Sequence, residues 1–405
     1  MKRNILIWGA GKQGEELYEM LSSCRNCEII AFGDNNEKLW GSEKRCKPVI
    51  GPDKIVNLSK LDCIVIAALA VEEIREQLKR ITTVPILDSV DELFFKRISI
   101  DISGYCNAKC KWCVTGRKNG IQNNSTMQYM QYKEFVKLYL HLYQKGIIEK
   151  RTEVMLYSWG EPLINPDYVK IIEFLAKEKQ LFSVSTNASY VQLVKKEDAY
   201  KHCCSFVFSL SGYSQESYDR IHGFRFEKIK KNIALIYKNM LEHGFAGDGS
   251  ISFHVYRFNY GEIDNAKKFS DSMGLRFNPY YPYFNGHSLM EAYLENRMDR
   301  AIVQKAEEEL YLDHVKELLN ERPNDFRCSL ARIITINWNG NLTLCCGADA
   351  GLKDFEWESV FQISSYEQMH EKREQMLQCQ SCRKCRMLGI DYWLDNNPSF
   401  EKSET

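Results

Sequence analysis

No charge of one sign dominates this chain. Its 54 Lys and Arg residues balance 54 Asp and Glu residues, for a formal net charge of zero. A nucleic-acid or membrane-surface footprint needs a basic excess, so neither partner is expected. Long apolar runs are missing too. No stretch approaches the roughly 20 residues of a membrane-spanning helix, and the apolar run near Met1-Lys2-Arg3 is too short for a signal peptide. A cytoplasmic protein is expected. What remains is an ordinary globular composition, 44% hydrophobic over 405 residues, enough for two or three domains with normal cores.

Cysteine is plentiful, with 15 residues. In a reducing compartment structural disulfides are not expected, and clustered cysteines point to metal. They fall in groups: Cys106, Cys110 and Cys113; Cys328; Cys345 and Cys346; Cys379, Cys382 and Cys385. The remaining six are Cys24, Cys27, Cys46, Cys63, Cys203 and Cys204, and they read as buried or incidental thiols. Cys24 and Cys27 have knuckle spacing, but no second pair lies near in sequence.

The run Cys106-Asn-Ala-Lys-Cys110-Lys-Trp112-Cys113 places three thiols within eight residues. Soft sulfur ligands select iron–sulfur clusters, and three thiolates leave one iron of a [4Fe–4S] cube without a Cys from this run. Such an iron can bind a small molecule, whereas an electron-transfer cluster normally has four protein ligands. A zinc site is the alternative, but zinc usually takes four ligands in paired Cys-x2-Cys knuckles. The Cys-x3-Cys-x2-Cys spacing, with aromatic Trp112 before the last Cys, resembles the radical S-adenosylmethionine (SAM) superfamily. The resemblance implies that the open iron chelates SAM and that one electron releases a 5′-deoxyadenosyl radical. It also implies an electron donor such as a flavodoxin or ferredoxin.

The first ninety residues carry a second pattern. Ile5-Leu6-Ile7-Trp8 reads as a buried strand, followed by Gly9-Ala10-Gly11-Lys12-Gln13-Gly14 and an amphipathic helix through Leu17 and Leu21. A second strand over 28–32 ends at Gly33-Asp34, with Asp34 twenty positions after Gly14. The glycines allow close approach of backbone to a phosphate at a helix N-terminus, and the acidic residue can bind a ribose diol. A strand over 63–68, a helix over 71–80 and a short strand near Pro85 complete a Rossmann-like nucleotide-binding domain over 1–93. The segment resembles the small N-terminal domains of sugar-nucleotide acyltransferases and related polysaccharide-biosynthesis proteins. That implies a nucleotide or nucleotide-sugar ligand; a degenerate domain used for packing is the alternative.

From Arg97 the chain alternates strand and helix. Strands are expected over 98–102, 153–157, 182–185, 205–210, 251–256 and 275–280, with helices such as 132–143 and 226–241 between them. Six βα units predict a partial (β/α)6 barrel over 94–300, its active site at the C-terminal strand ends. Ser158-Trp159-Gly160-Glu161-Pro162 resembles the superfamily's Gly-Gly-Glu-Pro motif, with Trp159 in place of the first Gly. The resemblance implies that this backbone and Glu161 hold the SAM amino group. Ser185-Thr186-Asn187-Ala188 resembles the Thr-Asn-Gly segment, making Ser185 and Asn187 candidates for the SAM ribose or carboxylate. Ser209-Leu210-Ser211-Gly212 resembles Ser-Leu-Asp-Gly, with Ser211 where the family has Asp. Arg257 could pair with the SAM carboxylate, since a guanidinium suits bidentate binding; a surface cation is the alternative. His222 and His254 read as structural.

Residues 301–405 read as a small Cys-rich α+β domain. Ile333 to Ile336 and Leu342 to Leu344 flank Asn339-Gly340 as a β-hairpin. The segment resembles the SPASM or shorter twitch extensions of radical SAM enzymes, which carry auxiliary [4Fe–4S] clusters. Position 388 is Leu and no Cys follows 385, so one auxiliary cluster is expected. Its best ligand set is Cys328, Cys345, Cys379 and Cys382, with Cys346 and Cys385 as substitutes and a zinc knuckle as the alternative. The whole reads as an α/β radical SAM enzyme acting on a small-molecule substrate, a sugar or nucleotide-linked sugar, by oxidation or epimerisation. Oxidation would use the auxiliary cluster as electron acceptor; epimerisation would need a hydrogen donor, for which Cys203 and Cys204 are available. Peptide or protein modification is the alternative enzyme class, and a non-catalytic iron–sulfur or nucleotide sensor the alternative outside it.

Overall fold

In a computed structural model the described residues are 2–22, 24, 26–87, 93–121, 128–312 and 328–385. The chain divides into two compact units. One comprises residues 1–96 with 142–152, the other 97–141 with 153–405.

The first unit is built on a six-stranded sheet. Its strands are β1 (Arg3–Trp8), β2 (Cys27–Gly33), β3 (Glu43–Lys44), β4 (Lys47–Ile50), β5 (Cys63–Ile66) and β6 (Ile86–Leu87), in the order β3-β4-β2-β1-β5-β6. All pairs are parallel except the β3–β4 hairpin. Successive side chains of β1 enter opposite cores, as the two-residue strand period requires. Ile5 and Ile7 pack with Leu17 and Leu21 of the helix Lys12–Ser22, while Leu6 and Trp8 pack with Ile55 and Leu78. Apolar cover on both faces explains why β1 is an unbroken apolar run rather than an alternating one. Cys24, Cys27 and Cys63 lie buried in the first of these cores and form no disulfide. The side-chain amide of Asn26 donates to the Gly146 carbonyl at 2.5 Å, tying residues 142–152 to this unit.

The second unit holds a nine-stranded sheet. Strands β7 (Arg97–Ile100), β8 (Glu153–Met155), β9 (Phe182–Thr186), β10 (Cys203–Leu210), β11 (Asp248–His254) and β12 (Arg276–Tyr280) run parallel in sequence order. The C-terminal ends of all six therefore face one edge of the sheet. Helices such as Tyr132–Gln144, Tyr168–Lys177 and Phe226–Glu242 connect them. The apolar stripe Ile171, Ile172 and Leu175 of the second of these is fully buried.

The sequence sets residues 301–405 apart, but their strands continue this same sheet. β13 (Ile334–Ile336) pairs parallel with β7, and β14 (Asn341–Thr343) and β15 (Glu356–Ser359) follow antiparallel. Gly340, at φ 84°, sits in the left-handed region in the turn between β13 and β14. Among the described residues no helix is long and apolar enough to cross a membrane.

Candidate functional site

The site begins where β7 ends. Asp101, 5% exposed, accepts backbone N–H groups from Trp159 (2.9 Å), Gly160 (3.2 Å) and Ser103 (3.4 Å). It thereby ties the loop after β7 to the Ser158–Pro162 loop after β8. A Cβ at Gly160 would stand 1.4 Å from the Ser103 carbonyl oxygen, so only glycine allows the two loops to approach this closely. Burial pushes the Asp101 carboxyl up to about 6, against the pull of its three donors.

Glu161 is the centre of the next layer. Its carboxylate accepts from the Thr186 hydroxyl (2.6 Å), the Asn187 backbone (2.7 Å) and the Leu163 backbone (3.1 Å). The last of these caps the short 3-10 turn Pro162–Ile164, which Pro162 opens. Burial raises its carboxyl to about 7 despite these donors. Glu161 is also close enough to Cys106 to push that thiol up further. The Asn187 amide reaches Cys106 Sγ at 3.8 Å and Asn107 Oδ1 at 3.2 Å. Motifs from the ends of β7, β8 and β9 thus converge on Cys106. Ser158 Oγ is buried with no hydrogen-bond partner among the described residues.

Cys106, Cys110 and Cys113 form no disulfide. Burial raises all three, and each is raised further by another acid: Cys106 by Glu161, Cys110 and Cys113, Cys110 by Cys113, and Cys113 by Asp349. Trp112 is buried between them. Its indole N–H donates to Glu309 at 3.0 Å, and Lys111 reaches the same carboxylate at 2.8 and 2.9 Å. Asn285 backs Cys113: its backbone N–H bonds Trp112 O (2.8 Å), its carbonyl accepts from Val114 N (2.9 Å), and its amide lies 3.9 Å from Cys113 Sγ.

Other expected site residues lie further along the same edge. Ser211, buried, follows β10, and its carbonyl accepts from the Asn259 amide at 3.2 Å. Ser185 and Ser209 sit within β9 and β10, paired in register with Val207 and Ser252. Arg257 follows β11. Its Nε donates to the Leu310 carbonyl at 3.0 Å and its guanidinium lies over the Tyr311 ring at 4.6 Å, so the 310–311 segment engages it. Cys203 and Cys204 stand at the start of β10, the opposite end of that strand from Ser211.

The C-terminal cysteines enclose a cavity of about 280 Å³ lined by Cys328, Cys345, Cys346, Cys382 and Cys385. Cys379 does not line it. Its sulfur accepts from Cys382 N at 3.4 Å, and the carboxylate of Asp354 lies beside it. Asn285 lines the cavity as well as touching Cys113, so one side chain joins the two cysteine groups. Trp159, standing where the Gly-Gly-Glu-Pro pattern has glycine, reaches across to the Ala348 carbonyl with its indole N–H at 2.6 Å.

No group of three or more His, Cys, Asp or Glu among the described residues is placed to grip a single metal ion. A four-iron cube attaches each thiolate to its own iron, so its ligands need not converge on one point. The donor set fits such a cube: three soft thiols outside any disulfide, with the Asn187 and Asn285 amides beside two of the sulfurs.

In the first unit, a Cβ at Gly9 would stand 2.3 Å from the Ala67 carbonyl oxygen and one at Gly14 1.8 Å from that of Gly9, whereas Gly11 has open space around it. Close backbone approach therefore requires glycine at 9 and 14, and the φ of 119° requires it at 9 as well. Asp34 accepts from Ala10 N and Asn36 N, both at 2.8 Å, so its carboxylate holds the glycine loop.

Family comparison decides the middle of the chain. Residues 100–260 match the radical SAM superfamily. This chain carries a radical SAM domain. Residues 1–85 match the family described as C2185-like, N-terminal. The GTP 3′,8-cyclase of Pasteurella multocida (strain Pm70) is 21% identical over 160 residues, 38% of this chain and 45% of that protein. The chain thus spans less than half the length of that curated relative. Streptococcus suis SuiB bound to S-adenosylmethionine aligns at 15% identity over 78% of this chain and 83% of that one, with a TM-score of 0.43. UDP-D-quinovosamine 4-dehydrogenase from Vibrio fischeri aligns at 24% identity over 23% of this chain and 84% of that one, with a TM-score of 0.19. The radical SAM domain includes Cys106, Cys110, Cys113, Glu161, Asn187 and Arg257, all at the strand-end edge.

Asp101, Asn107, Asn285 and Glu309 were not legible as site residues. Asp101 had one available signal, a carboxylate directly after an apolar strand and five residues before the first cysteine. Asn285 and Glu309 have none, because their roles depend on long-range packing.

Proposed function

We propose that this protein is a radical SAM enzyme that oxidises a carbon-bound alcohol of a sugar or nucleotide-linked sugar. The observation that carries the reading is the convergence of Cys106, Glu161 and Asn187 at adjacent parallel strand ends. Cys106, Cys110 and Cys113 would hold the cluster, and Glu161, Asn187, Ser158 and the Gly160 backbone would bind SAM beside it. When bound, that cluster and SAM supply the one-electron cleavage that yields a 5′-deoxyadenosyl radical.

The residues of the chain do the rest. Asp101 and Gly160 hold the second loop against the first. The carboxylate of Glu161 offers an acceptor for the ammonium of a bound amino acid and keeps it beside Cys106. The bond from Trp112 to Glu309 anchors the cysteine loop.

Oxidation removes one hydrogen atom, then a proton and an electron. The cysteine cavity beside Cys113 supports a second cluster as acceptor for that electron, with Cys328, Cys382 and two of Cys345, Cys346 and Cys385 as its ligands. Epimerisation needs a thiol donor instead, and Cys203 and Cys204 begin β10 about 25 Å of strand away from Ser211. The glycine loop of residues 9–14 supports a nucleotide-type ligand in the first unit.

The test is anaerobic. Reconstituted protein is reduced with dithionite, given SAM and a pool of nucleotide sugars, and assayed for 5′-deoxyadenosine. Release that one pool member stimulates, and that vanishes when Cys106, Cys110 and Cys113 are replaced by Ala, is the expected result. Release that no sugar stimulates sinks the substrate, and no release from iron-filled protein sinks the enzyme reading.

A further inference from the structure

Arg373 lies on the helix Tyr366–Leu377, is 3% exposed, and lines the cysteine cavity. Its guanidinium donates to three backbone carbonyls: Ala331 through Nε at 2.8 Å, Leu330 through Nη2 at 2.9 Å, and Leu344 through Nη1. These bonds satisfy hydrogens but do not neutralise charge. No carboxylate lies within ion-pair distance of Arg373 among the described residues; burial disfavours its charge, and the sulfurs of Cys345, Cys382, Cys328 and Cys346 oppose that loss.

A buried, uncompensated cation costs several kcal/mol, so native proteins pair such charges. A second group repeats the pattern. His287, 5% exposed, lines the same cavity with neither ring nitrogen bonded among the described residues. A cation and an imidazole therefore both face a space walled by five thiols. Both observations are satisfied by an occupant with net negative charge.

We propose that Arg373 is the built-in counter-charge of the metal–sulfur cluster in this cavity and holds its reduction potential up. The inference rests on the second-cluster reading above. Four thiolates around a [4Fe–4S] core leave a net negative charge that grows on reduction. A fixed cation in a poorly solvated site therefore favours the reduced form. This is the direction an electron acceptor needs. The same residue ties the segments bearing Cys328 (through Leu330 and Ala331) and Cys345 (through Leu344), so charge and geometry are set together.

The experiment isolates the second cluster by replacing Cys106, Cys110 and Cys113 with Ala in the full chain. Iron and sulfide are counted, and the midpoint is read by redox titration followed by electron paramagnetic resonance. Arg373→Met and Arg373→Gln remove the charge; Arg373→Lys keeps it while breaking the three-carbonyl geometry. The expected result is a lower midpoint in Met and Gln and a midpoint near the parent's in Lys. If Met fails to fold, Gln and Lys read the same contrast. Equal midpoints across the series, with cluster present, overturn the role of Arg373 and leave the second cluster standing. Equal losses of stability in Lys and Met without a midpoint change also overturn it, because that is what a purely structural residue does. Absence of iron from the parent overturns the cluster reading and this inference together.

Discussion

Asp101 shows how much one buried carboxylate can decide. It holds the loop that presents Glu161, and burial raises its carboxyl to about 6 from an ordinary 3.8. A raised acid contributes stability that is complete below the unfolded value and is lost as pH rises through the folded one. For Asp101 that window runs from about pH 4 to pH 7, and the total is about 3 kcal/mol. Asp101→Asn keeps an acceptor for Trp159 and Gly160 but cannot ionise. Urea unfolding of the iron-free chain at steps between pH 4 and 7.5 should show a shallower loss in the variant than in the wild type. Glu161, with its carboxyl raised to about 7, leaves a residual slope in both. Identical slopes would mean that Asp101 does not titrate as its burial implies. Asp101→Ala removes all three acceptor contacts and should cost about 1–3 kcal/mol at any pH, together with the affinity for SAM.

Among the elements, the helix Arg300–Glu309 acts on the cysteine loop through its last residue. Glu309, 4% exposed, takes hydrogen bonds from Trp112 and Lys111, and Arg220 lies 3.8 Å from it. Glu309→Ala leaves the buried indole N–H and the lysine without their acceptor. About 1–3 kcal/mol of stability should be lost, and the cysteine triplet should take up iron more slowly; iron uptake at the wild-type rate would refute the link. None of this was readable in advance, because 197 residues separate Trp112 from Glu309. The strands were readable for the opposite reason. Ile5 to Ile7 and Phe206 to Leu210 carry their burial in the local pattern, and the motif loops after β8 and β9 are short-range. The β3–β4 hairpin carries no sequence signal, because its turn puts Arg45 and Cys46 at φ 50° and 58°, positions that a glycine or asparagine would mark. The joining of β13 to β7 is not legible in the sequence, because parallel pairing 236 residues apart leaves no periodic trace.

At the scale of the molecule, every cysteine read as a cluster ligand belongs to one of the two compact units. Cys106, Cys110 and Cys113 follow β7, while Cys328, Cys345 and Cys346 flank β13 and β14 in the same sheet. The first unit has its own sheet and two apolar cores; Cys24, Cys27 and Cys63 are buried in one of them, and Cys46 is exposed. Metal that binds only the folded state stabilises what it binds, by an amount set by its concentration relative to its dissociation constant. Loading iron anaerobically should therefore slow amide hydrogen exchange in β7, β8, β13 and β14. A site filled at about ten times its dissociation constant slows exchange through full opening roughly tenfold. Strands β1, β2 and β5 should exchange at unchanged rates, because neither cysteine group lies in their sheet. Mass spectrometry of peptides from loaded and chelated protein separates the two sets. Equal protection of both units would show that iron stabilises the chain as a single cooperative block. Protection confined to the peptides around β7 and β8 would show that the cysteines beside β13 and β14 take no cluster.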